Sequence, residues 1–528
     1  MMLQTTARRL WRMSSFIAMG LVLTPTIVAA DVGVAARVAS VKESVNTYRA
    51  AHEAVIVRDF IELLSLPNDA AVPADMERNA DLITALLEPR GFKTQRLRAG
   101  GAPYIYAELL RPGAAETILI YAHFDGQPVQ EENWTHPPFA PTLLDGPIQA
   151  GARVIDVSKV KGQFGPEWRL YARSAGDDKM PIIALVHALD ALAANGIEIA
   201  VNLKLLLDGE EERGSPTVGK IIDENRELLA ADLFLFCDGP MHQSRRTQLV
   251  FGVRGSTTVD ITSYGAVRPL HSGHYGNWAP NPIMQLSYLL TSLRSESGHI
   301  LVDGYYDDVA PLGELERDAI AAMPDVTEML QDELGVNTPE GDGKRLEELV
   351  TLPAINSRGI VAGGVGEKGR NVILATATTS LDLRLVPDQT PQRAVELIKA
   401  HLARQGYHVV ADDPSIETLR THAKVVKLDW HDKGYPAMRT ALDHPMSMRL
   451  TGLMRMIAPD LIVTPNMGGS LPLHEFSSRL AAPIIILPTA NHDNNQHAED
   501  ENIRLLNLWD AMTIYAAVIA NFGDTITP

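Results

Sequence analysis

Four apolar runs along the chain each close on acids or histidines. "TILIYAHFD" ends at His123 and Asp125, and "VNLKLLLDGEEE" at Glu210, Glu211 and Glu212. "DLFLFCD" ends at Asp238, and "PIIILPTANHDNNQH" leads to His492, Asp493 and His497. Runs this short, apolar without strict alternation, predict strands buried on both faces. Between them, "DDKMPIIALVHALDALAANG" sets apolar residues at Ile182, Leu185, Val186, Leu189 and Leu192 before Gly196, which is helical spacing with a glycine stop. Strand–helix alternation predicts an α/β fold with a mostly parallel sheet. Ligands of such sheets lie beyond the carboxyl ends of the strands, so the polar residues that close the four runs are expected along one edge.

From about Arg254 to about Lys433 the pattern changes. "GSTTVDITSY" and "TTSLDLRLVP" alternate as half-buried strands do. "NPIMQLSYLLTSLRS" and "TPQRAVELIKAHLARQG" read as helices capped by Asn281 and Thr390, with Pro282 and Pro391 at their first positions. A chain of 528 residues also exceeds what one core accommodates. The expected organisation is a catalytic domain in two parts, 31–253 and 434–528, interrupted by an α+β module over 254–433.

The first thirty residues read differently again. Arg8, Arg9 and Arg12 precede "FIAMGLVLTPTIVAA", which closes in small residues before Asp31. That pattern predicts a secretory leader over residues 1–30, cleaved after Ala30, and so a periplasmic or secreted protein. The apolar stretch is short and broken by Pro25, so no membrane span is expected once the leader is removed. A formal net charge of -18 excludes nucleic acid and anionic membrane as partners, because their phosphates reward clustered Lys and Arg. The single cysteine, Cys237, forms no intramolecular disulfide, and its place after "LFLF" marks a buried thiol rather than a nucleophile.

Imidazole and carboxylate delivered by separate segments make the donor mixture of a dinuclear site for borderline divalent cations, zinc first, with cobalt or manganese as alternatives. Two ions about 3.5 Å apart need a bridging carboxylate and a bridging hydroxide, and such a pair polarises a carbonyl while activating water. Asp177, the first acid of "RSAGDDKM", opens the long helix and is the expected bridge. Asp125 stands two residues past His123, on the same side of a strand, where it can fix the imidazole tautomer. On an extended chain Glu211 and Glu212 point in opposite directions, so one can bind metal while its neighbour serves as general base.

These segments resemble the M20 family of metallopeptidases, which spans carboxypeptidases, carnosinase-type dipeptidases and N-acyl-amino-acid deacylases. "YAHFD", "LYARSAGDDKM", "DGEEERGS", "FCDG", "LHSG", "LDLRLVP", "MGGSLP" and "HAEDE" are similar, in order, to the family's motifs from about residue 50 to 510. The resemblance implies His123, Asp177 and Asp238 on one ion, and Asp177, Glu212 and His497 on the other. It implies Glu211 as the base, Asp125 as the support of His123, and His271 reaching the partner subunit's active site to stabilise the oxyanion. It further implies Arg384, Asn371 and Ser470 as holders of the substrate's carboxylate or carbonyl, and a homodimer formed through the inserted module. Asn371 stands where relatives often carry Thr. Ala172, Ser174 and Met180 replace family glycines near Asp177 without removing a ligand.

Other chemistries are disfavoured. Ser470 lacks a Gly-x-Ser-x-Gly context because Pro472 occupies the last position. "GVGEKG" matches a dinucleotide fingerprint but is followed by a strand pattern rather than a helix, and "HEFSS" lacks the second histidine of a zincin motif. His274 and His492 read as loop histidines outside the site. The expectation is an exported enzyme that cleaves the amide bond of dipeptides, or the C-terminal residue of short peptides. The alternatives are an N-acyl-amino-acid deacylase and, in a different class, an inactive binding protein on the same scaffold.

Overall fold

The computed structural model describes residues 25–523. An eight-stranded sheet runs in the order Lys93–Leu97, Tyr104–Leu109, Asn202–Asp208, Thr117–His123, Leu233–Phe236, Ile484–Ile486, Gln248–Val250 and Ile462–Thr464. Its central four strands, Asn202–Asp208 through Ile484–Ile486, are parallel to one another. Four of the seven pairings are parallel, so the mostly parallel sheet expected from the sequence is present with antiparallel neighbours outside its central four strands. Lys93–Leu97 and Tyr104–Leu109 are antiparallel neighbours because only residues 98–103 join them, too few for a parallel crossover.

Both faces of the sheet are covered. Ile118, Ile120, Leu203, Leu205 and Leu235 point into a core shared with the helices Pro25–Leu64, Met180–Ala194, Pro445–Ile457 and Leu505–Asn521. Their chain neighbours Leu119, Tyr121, Leu206, Phe234 and Phe236 point the other way, onto Ile221, Ile222 and Phe476. That alternation with burial on both sides is why the strands carry uninterrupted apolar runs. Met180–Ala194 buries 12 of its 15 residues, since it shares one core with the sheet and with the helices Pro25–Leu64 and Leu505–Asn521, so its apolar residues go all round rather than along a stripe. The helix Pro25–Leu64 was not expected, because its first residues carry the composition of a leader.

A second, five-stranded sheet runs Ala354–Val361, Thr376–Leu385, Gly255–Tyr264, Val425–Tyr435 and His408–Val410, antiparallel except for its last pair. The helices Pro282–Leu293 and Pro391–Arg404 cover one face, through Leu289, Leu293, Val395, Ile398 and Leu402. Asn281 Oδ1 accepts from Ile283 N–H at 3.0 Å, and Thr390 Oγ1 from Arg393 N–H at 3.2 Å, so both caps form as the sequence indicated. The opposite face carries Ser256, Asp382 and Arg384. Further helices, Glu314–Ala322 and Thr327–Leu334, lie between the strands in sequence. Glu314–Ala322 packs near the edge strand Ile462–Thr464 of the large sheet, and its Glu316 pairs with Arg439 at 3.2 Å.

Candidate metal centre

Thr117–His123 ends level with Asp208, and Tyr121 is level with Phe236. His123, the Glu210–Glu212 turn and Asp238 therefore leave three adjacent parallel strands at one edge. Asp177 arrives on the loop before Met180–Ala194, and His497 on the loop that follows Ile484–Ile486. Asp177 spans the group. Its Oδ1 lies 2.8 Å from His123 Nε2, and its Oδ2 lies 3.1 Å from His497 Nε2. His123 Nε2 is also 3.9 Å from Asp238 Oδ2, and His497 Nε2 is 3.3 Å from Glu212 Oε2. The five residues expected to ligate metal are thus brought together.

The donor set fits divalent cations. Two groups, His123 with Asp178 and Asp238, and Asp177 with Glu212 and His497, each place one donor atom per residue within 4.8 Å of the others. Protons stand in for cations in the electrostatics. Burial, then the charge of Asp177, pushes Glu212 up to about 8 and Asp238 up to about 6. The hydrogen bond to Asp177 pushes His497 up to about 9, against burial. Burial, then the charges of Asp238 and Asp177, holds Glu211 well above the carboxylate range. A divalent ion must displace these protons, because metal binds carboxylate and neutral imidazole. Metal affinity is expected to rise with pH from about 6 to about 9, with proton release on loading. Calorimetry of zinc titration in buffers of different ionisation enthalpy measures this. A heat independent of buffer would contradict it.

The adjacent glutamates differ in their surroundings. They sit in a single 3₁₀ turn, Glu211–Arg213, rather than on extended chain, and three residues per turn send their side chains apart. Glu212 accepts from Gln127 Nε2 at 2.8 Å and faces His497. The Glu211 carboxylate has no hydrogen-bond or ion-pair partner among the described residues. Asp125 holds the turn: Oδ1 and Oδ2 accept from the backbone N–H of Glu211 at 3.1 Å and of Glu212 at 3.0 Å. Its Oδ1 is also 3.3 Å from His123 Nδ1, a close approach that forms no hydrogen bond and leaves that buried nitrogen unpartnered among the described residues. One carboxylate therefore fixes the glutamate turn and stands behind the imidazole. Glu210, the remaining acid of the run, is structural. It accepts from Tyr104 Oη at 3.0 Å and Thr217 N–H at 2.9 Å.

Two supporting acids escaped the sequence reading. Glu501, fully buried, accepts from the backbone N–H groups of Ser174, Gly176 and Asp177 at 2.9–3.0 Å and from Arg173 Nη1 at 2.7 Å, so it shapes the loop that presents Asp177. Its only signal was its place in "HAEDE". Asp178, also buried, accepts from His123 N–H at 3.2 Å. Ser174 holds a left-handed backbone, with φ of 62°. Its hydroxyl offsets the strain by accepting from Asn68 Nδ2 at 2.8 Å.

The residues expected to hold substrate fall into two groups. Arg384 Nη1 donates to Ser470 Oγ at 2.7 Å, and Arg384 Nε to Asp382 Oδ2 at 2.8 Å. His271 and Asn371 lie together elsewhere, at the start of a two-stranded ribbon, where Ser272 N–H donates to Asn371 O at 2.9 Å. Both are exposed, and no hydrogen bond or ion pair joins either to the metal-centre residues among the described residues. Cys237 is buried, as its sequence context suggested.

Known proteins resemble this chain throughout its folded part. It is 25% identical to the Cys-Gly metallodipeptidase of Schizosaccharomyces pombe over 426 residues, 79% of this chain and 82% of that protein. It is 26% identical to the human Beta-Ala-His dipeptidase over 424 residues, 79% of this chain and 76% of that protein. Among solved structures, a M20 family metallo-carboxypeptidase from Sulfolobus solfataricus superposes with a TM-score of 0.69 at 25% identity, covering 89% of this chain and 99% of the other.

These findings correct the expectation of export. The relatives are metallodipeptidases of a yeast and a β-Ala-His dipeptidase, and they lend no support to a periplasmic or secreted enzyme. Most of the supposed leader lies outside the described residues. Its last six residues, 25–30, form the start of a helix that runs unbroken across Ala30–Asp31 to Leu64. The apolar and small residues at 25–30 suit the end of a leader and the start of a helix alike, which is why composition misled here. Among the described residues no helix is long and apolar enough to cross a membrane.

The profile of Peptidase family M20/M25/M40 matches residues 119–521, the stretch that carries every residue of the metal centre. The chain belongs to that family and is a metal-dependent peptidase.

Proposed function

We propose that this protein is a dinuclear-metal exopeptidase that cleaves the amide bond of dipeptides, or releases the C-terminal residue of short peptides. The observation that carries the reading is Asp177, whose two oxygens face His123 and His497 at 2.8 and 3.1 Å, as a carboxylate shared between two ions must. The names of the relatives, Cys-Gly and Beta-Ala-His dipeptidases, favour dipeptides over N-acyl amino acids. His123, Asp177 and Asp238, and Asp177, Glu212 and His497, would hold two divalent ions, zinc first by donor chemistry, which would supply Lewis acidity for the scissile carbonyl and for a water.

The chain's own groups do the rest. Glu211, with its carboxylate uncommitted, takes the proton from the attacking water and returns it to the leaving amine. Asp125 keeps that base in place through the backbone of the turn. Arg384, steadied by Asp382 and Ser470, receives the substrate's free carboxylate.

In this reading residues 254–433 form a lid, and 31–253 with 434–528 the catalytic domain. A homodimer through the lid is supported by its exposed apolar residues, among them Trp278, Tyr288, Val361 and Val365. It would bring His271 and Asn371 of one copy to the other copy's centre, where the His271 imidazole can meet the developing oxyanion.

The test is to strip metal with a chelator, restore zinc, cobalt or manganese, and follow dipeptides beside N-acetyl amino acids. Metal-dependent cleavage of dipeptides is expected to exceed that of N-acetyl amino acids. The opposite order would make the protein a deacylase, and no hydrolysis of either class with metal bound would sink the reading.

A further inference from the structure

We infer that Arg254 forms, beside Arg384, a second anion-binding position that gives the site a preference for substrates whose C-terminal residue has an acidic side chain. The inference rests on the peptidase reading above, in which Arg384 takes the substrate's α-carboxylate. Both guanidinium groups hang on one short loop. Arg254 donates Nε–H to Gly468 O at 3.0 Å and its backbone N–H to Gly469 O at 3.1 Å, while Arg384 reaches the next residue, Ser470, at 2.7 Å.

Their counter-charges are unequal. Arg384 has Asp382 at 2.8 Å. Arg254 is half-buried, and among the described residues no carboxylate lies within ion-pair distance of it. Burial, then the charge of Arg384, pushes Arg254 down to about 10, with Asp382 the one acid acting against them. A desolvated cation beside a like charge destabilises the fold unless an anion compensates it. Such groups collect where a charged ligand arrives.

Room for that ligand is present. A cavity of about 360 Å³ opens at Arg254, and Ala354 and Asn356 form part of its wall. Those two residues are the register partners of Arg384 and Asp382 on the neighbouring strand, which places the cavity against the carboxylate-binding position. Of the acids lining it, Glu340 is already paired with Arg294, and Asp342 is exposed to solvent. An amino-acid residue whose α-carboxylate meets Arg384 and Ser470 can turn a second carboxylate toward Arg254.

Binding and turnover, measured together, separate this inference from the reading beneath it. Calorimetric titration of the metal-loaded wild type with free L-glutamate and L-glutamine is expected to show glutamate binding about tenfold tighter, the scale of a charge-assisted contact in a partly dry site. In Arg254→Gln the ratio should fall to near one, and Arg254→Lys should restore part of it. Equal affinities in the wild type, or a ratio that Arg254→Gln leaves unchanged, would overturn the inference. An Arg254 that merely props the Gly468 loop would weaken both ligands alike and keep the ratio. Hydrolysis of Ala-Glu and Ala-Gln by the same preparations reports separately on the peptidase reading, since the binding ratio does not depend on turnover.

Discussion

A Glu211→Gln protein is expected to bind its metal normally and to turn over dipeptides about a thousandfold more slowly, within the range lost when a positioned general base is removed. The amide keeps the size and shape of the carboxylate but cannot accept the proton. Because the Glu211 side chain has no partner among the described residues, the substitution breaks no hydrogen bond or ion pair. Glu212 retains Gln127 and His497, and Asp125 still accepts from both backbone N–H groups of the turn. Metal content by atomic absorption and kcat on one dipeptide give the comparison. A slow enzyme with full metal places the defect in proton transfer. A slow enzyme stripped of metal makes Glu211 a ligand, and unchanged turnover removes it from the mechanism.

The second large effect is structural. Glu501→Ala takes the only ion-pair partner of the buried Arg173 among the described residues and leaves three backbone N–H groups of the Asp177 loop without their acceptor. Breaking a buried pair from one side costs about 3–5 kcal/mol, since the remaining charge stays desolvated. Thermal unfolding should therefore start at a markedly lower temperature, and metal should leak even in folded protein because Asp177 is no longer held between the two histidines. Glu501→Gln, which keeps an acceptor but no charge, should fall between. A Glu501→Ala protein with the wild-type unfolding temperature and full metal would show that the loop holds its own shape.

The parts of this site that were legible in the sequence share one property: a strand carries them to its end. His123, Glu212 and Asp238 could be placed because a buried strand has a recognisable pattern, and its next polar residue must emerge at the sheet edge. The caps at Asn281 and Thr390 were legible for a different local reason, a capping side chain directly before a proline. What remained hidden depends on contacts distant in sequence. Glu501 looked like one more acid in a polar loop, and only the fold reveals that it meets a segment 324 residues earlier. The freedom of Glu211 against the engagement of Glu212 was likewise invisible, since Gln127 comes from another turn. The helix Pro25–Leu64 was misread because its opening residues serve two patterns equally well.

Asp177 and Glu501 also set a schedule for the newborn protein. Asp177 leaves the ribosome 324 residues before Glu501, and His497, which also fixes its geometry, comes hardly sooner. A nascent chain therefore exposes half a cation trap without its closing side for as long as those 324 residues take to make. Loading therefore waits for that distant loop, and a product that stops short of His497 keeps the first group of donors but forfeits the second.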